Sequence, residues 1–235
     1  MSDPFAVVRQ FESALCEYTG APYCVSTTSC TTALLLAVAW HLRDFPTVGH
    51  CTKGNQLGHL RPTVEIPKRT YVGVLMSIIH AGGRPTFRDE DWRGAYRLDP
   101  LPVWDSARRL RQAMYTSDDA WNGGQPVPQR TDAPAIAGAM VCLSFHWSKV
   151  LGIEQGGAIL HEDPEADRWL RMARFDGRQE GVAPPDQQEW IIGYHAYMAP
   201  ETAAKGLMRL SLLNGNEPDL PNSNYPDLSQ MEIFK

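Results

Sequence analysis

The sequence predicts an α/β protein whose helices pack on a layered sheet. Two observations predict this fold class. Short apolar runs alternate with helical segments along most of the 235 residues, an order typical of strands joined by helices. Polar residues follow several of these runs directly, and in open α/β sheets ligands bind beyond the carboxyl ends of the strands.

The first part of the chain predicts a helix, a strand and a second helix. Apolar residues recur at three- and four-residue intervals over residues 5–18, which indicates an amphipathic helix that ends at residues 20–22. Residues 23–26 predict a short buried strand. Residues 27–32 are a polar elbow before an apolar run at 33–42 that predicts the second helix. A strand, a turn of small residues and a helix N-terminus together form an anion site.

The same alternation continues to the end of the chain. Residues 44–62 are rich in Gly and Pro and predict a loop or an insertion. Further strands are predicted at 63–67, 85–87, 101–105, 138–145 and 156–160, and further helices at 71–80, 165–174 and 200–213. The segment from 214 is rich in Asn, Pro, Asp and Ser, and we expect it to wrap the surface or to fray. Because the elbow, Asp105 and residues 144–149 all follow strands, we expect them on one rim of the sheet.

Composition and charge exclude several classes of function. The formal net charge of -5 gives no reason to expect a nucleic-acid partner, which clustered Lys and Arg would indicate. The longest apolar run, residues 33–40, is too short to cross a bilayer, and the first residues do not resemble a signal peptide. We therefore expect a soluble, cytoplasmic protein with no membrane partner.

The cysteines and the histidines near them do not predict a metal site. Five cysteines are present, none with zinc-ribbon or thioredoxin spacing, so reduced thiols are expected. His50, Cys51 and His59 lie in the Gly-rich stretch, but their spacing matches no standard metal site.

Five motifs, taken in order, resemble those of the DegT/StrS sugar aminotransferases, which use pyridoxal 5′-phosphate (PLP). They are Ser-Cys-Thr-Thr-Ala-Leu at 29–34, Pro-Lys-Arg-Thr-Tyr at 67–71, Asp105, Ser-Phe-His-Trp-Ser-Lys at 144–149, and Gly-Gly at 156–157. The resemblance implies the large domain of PLP fold type I over residues 1–213, a three-layer α/β/α structure with a mixed, mainly parallel sheet. It also implies that residues 214–235 form a tail in place of the smaller C-terminal domain, and that the protein is a homodimer with active sites at the interface.

The resemblance also implies roles for five residues. Lys149, one of five lysines, would hold PLP covalently and move a proton between the amino donor and the cofactor, unless it is a solvated surface lysine. Asp105 would pair with the pyridine nitrogen, although an aspartate here could instead cap a helix. Tyr71 would lie on the ring face or pack in the core. Thr31 and Ser144 are candidate phosphate ligands, with a polar N-cap as the alternative for Thr31.

Three cofactor-binding candidates depart from the family pattern. Cys30 replaces a glycine and adds a side chain where the backbone approaches phosphate. Arg108 stands where Gln or His follows the aspartate, and could form a salt bridge to Asp105 or contact the cofactor. His195 replaces the asparagine that reaches the phosphate of a neighbouring subunit; it could donate that bond or be a structural histidine.

We therefore expect a PLP-dependent aminotransferase that moves an amino group from an amino acid, such as glutamate, to a nucleotide-linked keto-sugar. Two alternatives stay open. The short chain could carry out other PLP chemistry on an amine or amino acid. Cys30, Arg108 and the missing domain could also indicate a PLP-binding protein without turnover.

Overall fold

The computed structural model describes residues 3–45, 61–117 and 138–234, and within them helices and strands alternate as expected. The helices are α1 (Ala6–Thr19), α2 (Cys30–Leu42), α3 (Val72–His80), α4 (Pro164–Arg174) and α5 (Pro200–Leu210). The strands are β1 (Tyr23–Thr27), β2 (Thr63–Pro67), β3 (Arg84–Arg88), β4 (Tyr96–Leu98), β5 (Val103–Ser106), β6 (Met140–Ser144) and β7 (Gly157–His161). Short 3-10 helices lie at Pro184–Asp186, Leu228–Gln230 and Glu232–Phe234.

The strands form a mixed sheet in two connected parts. One part has the order β1-β7-β6-β5-β4, and the other pairs β2 with β3 in parallel. Two backbone hydrogen bonds between Glu65 and Asp99 join β2 to the end of β4 as an antiparallel bridge. Only β7 and β4 run against their neighbours, so five of the seven described strands point the same way. The prediction of a mixed, mainly parallel sheet is confirmed.

Helices cover both faces of the sheet, which gives three layers. Side chains alternate between two buried clusters along each central strand, because successive residues of a strand point to opposite faces. In β6, Cys142 belongs to the cluster under α2, α3 and α4, whereas its neighbour Val141 belongs to the cluster under α1 and α5. In β7, Ile159 and Leu160 divide in the same way.

A buried ion pair ties α1, β1 and α4 together. Arg174 is 0% exposed and its Nη1 contacts the Glu12 carboxylate while also donating to the Ser26 carbonyl oxygen at 2.7 Å. The Ser26 hydroxyl donates to the same carboxylate oxygen at 2.7 Å, and Arg171 donates to the other oxygen at 2.7 Å. Burial raises the pKa of Glu12, but the guanidinium groups of Arg174 and Arg171 outweigh it, and the pKa lies below its usual value.

The segment that follows α5 wraps the protein and does not fray. Asp219 is buried and accepts hydrogen bonds from Arg109 at 2.6 and 3.0 Å, with Arg111 at 3.1 Å. Further along, the backbone N–H of Leu228 donates to the carbonyl oxygen of Lys68 at 2.9 Å, and the Leu228 side chain is fully buried. The segment is therefore part of the packed structure.

Three expectations differ from the structure. Helix α2 begins at Cys30 and not at residue 33, because Ser29 caps it by accepting a hydrogen bond from Thr32 N–H at 3.1 Å. Helix α5 ends at Leu210, three residues early. Strand β4 was not expected at all. Most of the loop predicted at 44–62, with His50, Cys51 and His59, lies outside the described residues.

No helix within residues 3–45, 61–117 and 138–234 is long and apolar enough to cross a membrane.

Candidate active site

Residues of the elbow, Asp105 and residues of the 144–149 segment line one cavity of about 530 Å³, a size typical of cofactor sites. Seven of the eight predicted site residues line it: Cys30, Thr31, Tyr71, Asp105, Arg108, Ser144 and Lys149. The eighth, His195, does not. The cavity lies where β1, β5 and β6 end, as expected for an open α/β sheet.

The N-terminus of α2 opens into this cavity. The backbone N–H groups of Cys30 and Thr31 have no acceptor within the described ranges, so the positive end of the helix dipole is available to an anion. The added side chain of Cys30 is accommodated, because its sulfur points to the carbonyl oxygen of Cys142 at 3.7 Å and is buried in the core.

Strand β7 approaches this helix so closely that only glycine fits. A Cβ at Gly157 would lie 2.5 Å from the backbone nitrogen of Cys30 and from the carbonyl carbon of Ser29. Both are backbone atoms, so a side chain could be accepted only by moving the elbow.

We expect Gly157→Ala to destabilise the protein by about 1–3 kcal/mol, because overpacking displaces the backbone, and to weaken PLP binding. Chemical denaturation and a PLP titration check the two effects. Gly82→Ala is the control: its φ of +88° makes alanine strained, but nothing lies within 4 Å of its Cβ. Gly82→Ala should lose stability while keeping its PLP affinity. Equal PLP affinity in both variants would contradict the prediction.

Asp105, the last residue but one of β5, is a buried, hydrogen-bonded carboxylate that is 3% exposed. Its Oδ2 accepts a hydrogen bond from the Tyr96 hydroxyl at 2.7 Å, and its Oδ1 accepts one from Ala107 N–H at 2.9 Å. Burial raises the pKa of Asp105. The hydrogen bonds from Tyr96 and from Ala107 N–H, and the charges of Lys149 and Arg108, lower it, but the effect of burial is larger. The alternative of a helix N-cap is wrong, because Ser106 still belongs to β5 and a turn, not a helix, follows it.

Lys149 is partly buried at the end of the turn that follows β6. Burial lowers the pKa of its ammonium, and the charge of Arg108 lowers it further, while Asp105 and Cys30 act in the opposite direction. A lysine in this setting releases its proton more easily than a solvated one, which suits a nucleophile or base. A fully solvated surface lysine does not fit a partly buried side chain that lines the cavity, and the role of Lys149 stays a prediction.

Arg108 is held by the segment after α5. Its Nη2 donates to the hydroxyl of Ser223, and its guanidinium carbon lies 6.0 Å from the centre of the Tyr225 ring. Its Nε is buried and has no acceptor among the residues that the structure describes. The structure gives no ion pair between Arg108 and Asp105 within that part of the chain.

The other predicted residues are divided between the cavity and the outside. Tyr71 is 53% exposed at the cavity mouth, 6.3 Å from Tyr225 between ring centres, so packing in the core is excluded. Ser144 is partly buried at the end of β6. His195 has a side chain that is 72% exposed, and its Nδ1 lies 3.1 Å from Asp176. Its role towards a neighbouring subunit stays a prediction.

Sequence reasoning missed three residues of the site. Tyr96 comes from the unpredicted β4, and pairs in register with Asp105. Ser223 and Tyr225 come from the segment for which only wrapping or fraying was expected. No local sequence signal marks any of them, since each reaches the site by a contact distant along the chain.

The cavity residues fit PLP, group by group. A phosphate needs donors and a positive potential, which the free N–H groups of Cys30 and Thr31 supply. A protonated pyridine nitrogen needs a buried carboxylate, which Asp105 supplies. An aldehyde needs an amine that can lose its proton, which Lys149 supplies.

Comparisons with known proteins give the same family. A sequence model of the DegT/DnrJ/EryC1/StrS aminotransferase family matches residues 5–103 and 134–217. Sugar aminotransferase CalS13 from Micromonospora echinospora is 20% identical, with a TM-score of 0.60 over 88% of this chain and 60% of that one. Helicobacter pylori PseC, an aminotransferase involved in the biosynthesis of pseudoaminic acid, is 16% identical, with a TM-score of 0.57 over 87% of this chain and 57% of that one.

A DegT DnrJ EryC1 StrS aminotransferase from Brucella abortus is 20% identical, with a TM-score of 0.58 over 88% of this chain and 58% of that one. At such identities the likeness shows the fold, and it confirms fold type I. The chain spans about three fifths of the length of these solved chains. Because the family model covers well over half of its residues, the chain belongs to the DegT/DnrJ/EryC1/StrS aminotransferase family, whose cofactor is PLP.

Proposed function

We propose that this chain is an aminotransferase that moves an amino group from an amino acid, such as glutamate, to a nucleotide-linked keto-sugar. One observation carries the proposal: Lys149, Asp105 and the open N-terminus of α2 line the same cavity. Membership of the family supports amino transfer, and the similarity to the sugar aminotransferase CalS13 supports a sugar acceptor.

When bound, PLP supplies an electron sink for the negative charge that develops on the amino-bearing carbon. The chain's own residues do the rest. The N–H groups of Cys30 and Thr31 would bind the phosphate, with Ser144 as a further hydroxyl ligand. Asp105 would hold a proton on the ring nitrogen, and the ring of Tyr71 would cover one face of the site. Nζ of Lys149 would anchor the cofactor and would move a proton between the amino-bearing carbon of the donor and C4′ of the cofactor.

The Tyr96 hydroxyl and the Ala107 N–H set the direction of the Asp105 carboxylate before any ligand binds. Both oxygens already have a partner, at 2.7 and 2.9 Å, so the side chain cannot rotate freely. A carboxylate fixed in this way needs little reorganisation when it meets a positive ring nitrogen.

A spectral titration tests the proposed function. The purified protein should develop an absorbance band with PLP, and an amino donor should then convert that band to the one of the amine form. Addition of a nucleotide-linked keto-sugar should restore the first band. A band that no amino donor changes would contradict transamination and favour a PLP-binding protein without turnover.

Asp105→Asn should keep the shape of the site and lose the charge that holds the ring proton. We expect amino transfer to fall by about 10- to 100-fold, the value of one charge-assisted hydrogen bond, with a smaller loss of PLP affinity. Steady-state rates and PLP titrations check this. Asp91→Asn, an exposed carboxylate, is the control and should change neither quantity. An unchanged rate in Asp105→Asn would remove Asp105 from the reaction.

The assembly and setting are also proposals. The exposed His195 supports a homodimer in which it reaches the partner's site, and sedimentation analysis of wild type and His195→Ala tests it. The four described cysteines are free thiols, which supports the cytoplasm as the compartment. The division into a large domain at 1–213 and a tail at 214–235 stays a prediction, which limited proteolysis would test.

A further inference from the structure

Arg108 gives the cavity a positive charge that the binding of PLP by the elbow, Asp105 and Lys149 leaves unused. Of the described residues that line the cavity, four carry charge: Asp105, Arg108, Lys149 and Glu154. The proposed reaction uses Lys149 and Asp105. Glu154 forms an ion pair with Lys205 at 2.8 Å. Arg108 is the cation that remains for a ligand.

The guanidinium has one donor that the protein does not satisfy. Nη2 of Arg108 donates to Ser223, but Nε is shielded from solvent and has no acceptor in the described part of the chain. Because Nε is enclosed by the protein, a ligand would meet the guanidinium through its Nη atoms, and no carboxylate pairs with this charge among the described residues.

The position of Arg108 is fixed on two sides, as a receptor requires. Its backbone N–H donates to the carbonyl oxygen of Gly94 at 3.2 Å, and its carbonyl oxygen accepts from Leu220 N–H at 3.0 Å. Ser223 and Tyr225 contact the guanidinium from the segment after α5. Because Asp219 anchors that segment through buried ion pairs, the Arg108 side chain is already held in place before a ligand binds.

We propose that Arg108 is the receptor for a carboxylate of the substrate, and that Ser223 and Tyr225 are its positioning residues. The inference rests on the proposed function. A planar guanidinium matches a carboxylate in shape and charge, and a neutral glutamine at this position would match neither charge nor fork. The ligand class is therefore an α-amino acid or a 2-oxo acid, whose carboxylate lies next to the reacting carbon.

Binding of glutarate to the PLP-loaded protein tests the inference without turnover. Glutarate is a dicarboxylate with no amino group, so it can occupy the receptor but cannot react. Arg108→Gln should weaken glutarate binding by about 10- to 100-fold, and Arg108→Lys should weaken it less, because the charge remains. Ser223→Ala should weaken it by a smaller factor. The neutral diamide glutaramide should bind wild type and Arg108→Gln alike.

Arg84→Gln, an exposed arginine in β3, is the matched control and should leave glutarate binding unchanged. PLP affinity is measured on the same variants, because the receptor could instead serve an oxygen of the cofactor. A loss of PLP affinity as large as the loss of glutarate affinity would overturn the inference, as would glutarate binding that is absent in wild type or unchanged in Arg108→Gln. If Arg108→Gln does not fold, Arg108→Lys and Ser223→Ala decide the matter. Failure of the proposed function would appear separately, as wild-type protein that no amino donor converts.

Discussion

Replacing Lys149 with alanine should abolish covalent attachment of PLP and lower amino transfer by about 10²- to 10⁴-fold, the value of a positioned acid-base group, or more. The reason is that, in the proposed reaction, Lys149 both anchors the cofactor and carries the proton. Its pKa is lowered by burial and by Arg108, so this lysine is prepared for both tasks. Treatment with borohydride followed by mass spectrometry checks attachment, and a coupled assay checks the rate.

Lys205→Ala is the control for Lys149→Ala. Lys205 lies on α5 with its side chain 53% exposed, outside the cavity, and should keep both the adduct and most of the activity. The free N–H groups of Cys30 and Thr31 should still bind the phosphate in Lys149→Ala, so PLP should bind weakly and reversibly. An adduct of normal mass in Lys149→Ala would show that another lysine is the anchor.

Glu12→Ala should have the largest effect on stability, about 3–5 kcal/mol in the free energy of unfolding. This is the usual cost of removing one member of a buried ion pair, because the remaining charge of Arg174 stays in the core without its main partner. Such a loss is a large fraction of the stability of an ordinary domain. Urea denaturation measures it, with Glu17→Ala, an exposed glutamate of the same helix, as the control within about 0.5 kcal/mol of wild type.

The effect of Glu12→Ala should depend on pH in a definite direction. The pKa of Glu12 is lowered in the folded protein, because the charges of Arg174 and Arg171 outweigh burial. The carboxylate therefore contributes its full stabilisation above its ordinary pKa of about 4.5, and loses it as the pH falls through the lowered pKa. The difference between wild type and Glu12→Ala should shrink in acid. A difference that grows as the pH falls would contradict the ion pair as its source.

Much of the fold could be predicted because periodicity is a local property. Helices α1 and α4 and strands β1 and β2 were expected within a residue or two, since each has a regular apolar pattern. Strand β4 has only three residues, too few for a pattern, and it exists because Tyr96 and Leu98 pair with β5. Its position is determined by the neighbouring strand.

The residues of the site fall into the same two groups: some could be predicted from local sequence, and others depend on contacts with distant parts of the chain. Cys30, Thr31, Asp105 and Lys149 could be found because each lies near or just beyond the end of a strand, in a motif of fixed order. Tyr96 could not, since its contact with Asp105 depends on the register of two strands. The contacts of the segment after α5 are equally hidden, because the pairing of Asp219 with Arg109 joins residues 110 positions apart.

The wall of the cavity formed by Ser223 and Tyr225 has a consequence for how such a protein could diversify. The match to the family model ends at residue 217, so these two cavity-lining residues lie outside the matched ranges. Ser223 contacts Arg108, and Tyr225 contacts Arg108 and Tyr71. Under the proposed roles, the residues that choose the substrate would lie in a different part of the chain from Lys149, Asp105 and the elbow. A library randomised at residues 222–226 would be the direct route to an altered range of amino-acid substrates in a protein that still holds its cofactor.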